Sequence, residues 1–203
     1  YFDSVKVKEQ QAFLDQNTGL LGIEANWQRT RDGQPFMSSP IAKLFLLGSL
    51  KFAMRDPWGM GVEYEAGRPG WLDSMNGLPG MVGSGMPETY ELYLLLKYVK
   101  KVVDTYDRPI DIPTELQTML ITVNGALDDL EEDGYEDAEE LPLHVPVPLF
   151  EYWDVVAAAR ENYRNNVETY FFGNTTTLEA TTVSDMIGRW MDQIDMGIDR
   201  SFK

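Results

Sequence analysis

Between Met86 and Tyr106 the apolar residues Leu92, Leu95, Leu96, Val99 and Val103 fall at steps of three and four. That is the period of a helix with one buried face, and it recurs over most of the chain. Pro40 to Met54, Pro113 to Leu130, Phe150 to Phe171 and Leu178 to Phe202 carry the same pattern, each opened or closed by proline, glycine, serine or threonine. A sixth helix is expected near Val5 to Asp15. Pro87-Glu and Pro113-Thr-Glu read as first-turn prolines followed by acids that complement the helix dipole. In the last segment Met186, Ile187, Trp190, Ile194 and Ile198 share a face, which reads as internal packing rather than a partner-binding stripe. Leu20 to Ile23 and His144 to Val147 are too brief and too marked by proline to build a sheet. The expected class is therefore all-α. No internal repeat or low-complexity linker marks a domain boundary.

Charge and composition remove several kinds of function. The 203 residues hold 33 acids against 17 bases, a formal charge of −16. A phosphate backbone or an anionic membrane surface would be repelled, so no nucleic-acid and no membrane partner is expected. With no cysteine and a single histidine, thiolate metal sites, cysteine nucleophiles and multi-histidine zinc sites cannot be built. His144 sits among prolines with no motif around it and reads as a surface or packing residue. No apolar run reaches the ~20 residues of a membrane span, and YFDSVKVKEQQ lacks a signal-peptide pattern. A cytoplasmic location is the expectation that remains.

The acidic run DDLEEDGYEDAEE invites a metal test. Asp129, Glu131, Asp133, Gly134, Tyr135, Asp137 and Glu140 fall at the ligand offsets of a calcium loop,. Glu136 stands where an aliphatic residue is wanted, and LPLHVPVP cannot form an exiting helix. A solvated acidic loop is the preferred reading, and no metal is expected.

The remaining chemistry belongs to carboxylates, and three of them lie in GVEYEAGRPGWLDSMNGLPG: Glu63, Glu65 and Asp73. Glycosidic bond cleavage needs an acid to protonate the leaving oxygen and, in hydrolases, a base or nucleophile on the other side. Trp71 offers an aromatic face for the C–H surface of a sugar. Gly67, Gly70, Gly77 and Gly80 allow close backbone approach, while Pro69 and Pro79 lower the ordering cost of binding. A Gly/Pro loop can equally be a plain connector between helices.

The segment Gly70-Trp71-Leu72-Asp73-Ser74-Met75-Asn76, followed by GLPGMVGSGMPET and a long helix, resembles the Gly-Asp-Trp-Asn-Asp-Gly-Met-Asn loop of the cellobiose phosphorylase family. KFAMRDPWGMGVEYEAGRPGW and the following DSMNGLPG resemble its longer members, which act on β-1,2- or β-1,3-linked gluco-oligosaccharides. FEYWDVVAAARENYR is similar to a barrel helix of that group. The match is specific over about Met54 to Thr89 and looser elsewhere. Leu72 stands where the family motif has asparagine, which removes a polar contact, and Gly70 stands where shorter members have an acid.

The resemblance implies an inverting glycoside phosphorylase on an (α/α)6 barrel of helical hairpins. Asp73 matches the general acid and Trp71 the tryptophan that lines the sugar subsite. Arg68, Glu65, Asn76 and Glu63 are the further candidates for substrate contact, and Glu63 or Glu65 could also raise the pKa of Asp73. Arg55 lies near the motif, although Arg55-Asp56 also reads as a charge at a helix C-terminus with its partner. Inorganic phosphate is the implied co-substrate and no cofactor is implied; the phosphate-holding groups of the family have no match here. Such a barrel needs twelve helices and five or six are legible, so the chain is expected to be about half of one catalytic domain, completed by the remainder of the same polypeptide. A homodimer remains open. An inverting hydrolase or transglycosylase would need a base, with Glu63 or Glu65 at ~6.5–9.5 Å from Asp73. A non-catalytic carbohydrate-binding relative is the third reading.

Overall fold

Residues 4–16, 27–64, 83–135, 137 and 139–203 are described by a computed structural model. The periodic segments become helices: α1 Ser4–Gln16, α2 Pro40–Phe52, α3 Met86–Tyr106, α4 Thr114–Glu132, α5 Val147–Val167 and α6 Ala180–Arg200. Their ends follow local chemistry. Ser39 caps α2, its hydroxyl accepting from Ala42 N at 3.2 Å, and Pro40 opens the first turn,. Asp107 closes α3 in the left-handed region at φ 43°, where its amide donates to Val103 O at 2.9 Å,.

The apolar stripes meet in one core. Leu92, Leu96, Val99 and Val103 of α3, Leu116, Leu120, Val123 and Leu127 of α4, and Val183, Ile187 and Ile194 of α6 are buried. At its centre Trp190 has no exposed surface and stacks on Phe52 and Phe45 of α2, with ring centroids 4.8 and 5.9 Å away. Its indole N–H donates to Asn124 Oδ1 at 3.1 Å, so the one polar atom of the ring is satisfied where water cannot reach,. α4 packs on α5, and α3 packs on α6 and α2. Met186 and Ile198 join the core from its edge, so the α6 stripe is internal packing, as its spacing predicts. Where α3 crosses α6, Lys100 Nζ donates to Ser184 Oγ at 2.6 Å and to Asp104 Oδ2 at 3.0 Å, and the Ser184 hydroxyl donates to Asp104 Oδ1.

Several expectations need correction. Two antiparallel ribbons form where no sheet was expected: β1 Val62–Glu63 with β2 Ser84–Gly85, and β3 Ile110–Pro113 with β4 Thr175–Leu178. The second is held by tertiary burial of Ile110 and Ile112 and by the Thr177 hydroxyl donating to Asp111 Oδ1 at 2.6 Å. Pro113 is the last residue of β3 and the N-cap of α4 rather than a first-turn proline, whereas Pro87 does lie in the first turn of α3. α5 begins at Val147, three residues ahead of Phe150, and ends before Phe171, whose amide donates to Arg29 O at 2.8 Å. His144 lies exposed in a bend, while Leu20 to Ile23 fall outside the described residues. Among the described residues no helix is long and apolar enough to cross a membrane.

The acidic run is not arranged as a calcium loop. α4 continues through Glu132, so Asp129 and Glu131 ride on a helix. Asp128 and Glu131 accept from Arg189 at 2.7 and 2.9 Å, and Asp137 from Arg200 at 2.9 Å. Among the described residues no group of three acidic or histidine side chains could hold a metal.

Candidate functional site

Of the sequence-predicted site residues, Glu63 is described; Glu65, Arg68, Trp71, Asp73 and Asn76 lie outside the described residues. What the structure defines is the neck through which the chain enters and leaves residues 65–82. α2 ends at Phe52 and the chain reverses, so that Arg55 bridges to Val62 and Glu63 N donates to Met54 O at 2.7 Å. β1 then pairs with β2, Val62 opposite Gly85 and Glu63 opposite Ser84, and Tyr64 N donates to Gly83 O at 2.9 Å. The two ends of residues 65–82 are thus tied backbone to backbone.

Asp56 is the clamp of this neck. Its carboxylate accepts from Met60 N at 3.0 Å, Gly61 N at 2.8 Å and the Ser84 hydroxyl at 2.6 Å. One side chain therefore joins the turn to the returning strand with charge-assisted bonds. Asp56 makes no direct hydrogen bond to Arg55 among the described residues, but its charge still favours the neighbouring guanidinium cation,. Thr89, buried on the first turn of α3, donates to Met60 O at 2.8 Å and fixes the turn against that helix.

Glu63 points toward α5. Trp153 Nε1 donates to Glu63 Oε1 at 2.9 Å, and Arg160 Nη1 donates to Glu63 Oε2 at 3.2 Å and to Ala53 O at 3.0 Å. The Arg160 side chain is only 10% exposed and that of Glu63 24%. Arg160 Nε also donates to Glu161 Oε1 at 2.8 Å, so the guanidinium keeps a second carboxylate and the Glu63 bond is worth about 1 kcal/mol. Beside them, the phenol of Tyr64 is pushed up by burial and by the charge of Glu88.

α6 supports the neck from the other side. Gly59 adopts φ 67°, and its carbonyl lies where a Cβ on Gly197 would fall, so glycine is required on both sides of the approach,. Arg200 donates to Trp58 O and, through Nε, to Asp137 at 2.9 and 3.0 Å. Arg55 is buried below the turn. Its Nη1 donates to Gln193 O at 2.9 Å, its Nη2 to the Tyr152 hydroxyl at 3.5 Å, and its guanidinium carbon lies 4.2 Å from the Phe52 ring centroid. Burial pushes the Tyr152 phenol up and the Arg55 guanidinium down.

Trp153, Arg160, Arg200 and Asp56 carry the neck without belonging to any sequence-predicted set. One signal was present: Trp153 and Arg160 are seven residues apart in FEYWDVVAAARENYR, two turns apart on one helical face,. Their partner Glu63, some ninety residues earlier, is a sequence-predicted candidate for substrate contact, but nothing local marks it as a partner of α5. No known protein-family model matches the chain, and no curated protein does.

Proposed function

We propose that this chain carries the general-acid loop of an inverting β-glucoside phosphorylase, and that its helices are part of an (α/α)6 barrel. Phosphate oxygen attacks the anomeric carbon while the glycosidic C–O bond breaks and Asp73 gives its proton to the leaving oxygen. The products are α-glucose 1-phosphate and a gluco-oligosaccharide shortened by one unit. Trp71 lies under the sugar, and Arg68, Glu65 and Asn76 contact its hydroxyls.

The observation that carries this choice over hydrolysis is the engagement of Glu63. Both of its carboxylate oxygens accept bonds, from Trp153 and Arg160. A base that activates water must present an oxygen to it within hydrogen-bond reach; with each oxygen already turned to a donor on α5, Glu63 is the less favoured of the two candidate bases and Glu65 the more favoured. A phosphorylase needs no protein base because phosphate is itself the nucleophile. In this reading Glu63 is a positioning residue that fixes the start of the loop.

The test is an assay on β-1,2- and β-1,3-linked gluco-oligosaccharides with and without phosphate. Glucose 1-phosphate released only with phosphate is the expected result, and Asp73→Asn should lower kcat by about 10²–10⁴-fold while leaving Tm unchanged. Free glucose released without phosphate would replace the reading with the hydrolase. Oligosaccharide binding with no product under either condition would replace it with a non-catalytic binding protein.

A further inference from the structure

On the side of α5 turned away from the neck, a groove runs between α4 and α5. Trp153 and Arg160 face Glu63, whereas Asn162, about two and a half turns after Trp153, stands on the opposite face of the helix,. Met119 and Ala159, both buried, form the floor of the groove, and Asp154, Asn162 and Asn166 stand exposed along its α5 rim.

Tyr163 is the lining residue that packing does not explain. It is 3% exposed, yet its hydroxyl has no hydrogen-bond partner among the described residues. Buried polar groups are normally paired, and phenylalanine would fill the same space without leaving an O–H behind. Burial and the charge of Glu115 push the phenol up, so it stays a neutral donor,. Glu115 does not accept that proton, because its two oxygens accept from Phe172 N at 2.6 Å and from the Thr114 hydroxyl at 3.3 Å.

The lining selects a ligand by its chemistry. No lysine or arginine lines the groove, so an anion finds no partner in it. Of its two carboxylates Glu115 is engaged and Asp154 stands at the rim, a poor enclosure for a cation. What remains is neutral and two-sided: the Asn162 and Asn166 amides both donate and accept, and the Tyr163 hydroxyl donates. The apolar floor can meet C–H groups. We propose that the α4–α5 groove binds a neutral carbohydrate chain, with the Tyr163 hydroxyl donating to a sugar oxygen and Asn162 and Asn166 engaging neighbouring hydroxyls. From Asp154 to Asn166 the rim runs about 18 Å at 1.5 Å per residue, which suits a linear oligosaccharide lying along the helix,. The site stands on its own lining and does not depend on the chemistry proposed for Asp73.

Calorimetric titration with a panel of neutral gluco-, xylo-, manno- and galacto-oligosaccharides tests this in a Trp71→Ala background, which removes the sugar face offered by residues 65–82. At least one member should bind and should shift the amide NMR signals of Ala158, Asn162 and Asn166. Adding Tyr163→Phe should leave Tm unchanged, because the hydroxyl holds nothing in the fold, and should weaken binding about fivefold, the worth of one hydrogen bond. Asn162→Ala with Asn166→Ala should weaken it about tenfold or more; these residues are exposed, so the pair decides even if Tyr163→Phe does not fold. Binding by no member of the panel, or binding that neither set of substitutions weakens, would overturn the proposal and leave the Tyr163 hydroxyl to water. Absence of phosphorolysis in the unaltered protein would count against the role of Asp73 alone.

Discussion

At the level of single residues, two carboxylates separate what is structural from what is chemical. Glu63→Gln keeps the side-chain shape but removes the charge that faces Arg160. We expect a loss of about 1 kcal/mol in urea unfolding, because Glu161 and Ala53 O still hold Arg160,, with the pH profile of the proposed phosphorolysis unchanged in form. Loss of a limb of that profile would instead make Glu63 a titrating catalytic group. Asp104 supplies a different pH signature. The Ser184 hydroxyl and then the Lys100 ammonium hold its carboxyl below the usual carboxylate range. A depressed folded pKa gives stability that is present above the unfolded value of about 3.9 and is lost as pH falls through the folded value. The Tm difference between the unaltered protein and Ser184→Ala should therefore be constant above about pH 5 and shrink in more acidic buffer. Asp104 is half exposed, so water screens the contribution and keeps it small,.

At the level of elements, helices α2 to α6 were legible because each has a buried face that repeats every three to four residues over several turns, whereas the described side chains of α1 lie exposed. Leu92, Leu96, Val99 and Val103 mark that face in sequence and are the residues found buried on α3. The ribbons were not legible. β3 is a strand because it pairs with β4 and packs on α2 and α4, and IDIP alone carries too few residues to announce it,. The same reason hides the neck: Asp56, Glu63 and Arg55 are short-range neighbours whose distant partners come from β2, α5 and α6. Packing at these crossings gives two stability predictions. Trp190→Ala should cost about 3–5 kcal/mol, since it empties the centre of the core and leaves Asn124 without its donor,. Gly197→Ala should cost about 1–3 kcal/mol by driving α6 away from the Gly59 carbonyl,. Both are read by chemical denaturation, and an unchanged midpoint in the second would mean that the turn yields instead of the helix.

At the level of the whole molecule, the mostly helical class follows from periodicity, while the grouping of α5 and α6 around the neck is a property of the fold alone. A formal charge of −16 also makes the chain repel itself,. Raising sodium gluconate from near zero to about 0.15 M, where the screening length falls to about 8 Å, should raise Tm. The tie between Tyr64 and Gly83 has one more consequence. Because both ends of residues 65–82 are fastened to the helical body at one place, that stretch is a cassette. Its contents can be exchanged, or cut back to a two-residue hairpin linker, without the body having to find a new path for its chain. Natural variation could then retune the chemistry carried there while Asp56, Arg160 and Trp153 hold the socket constant.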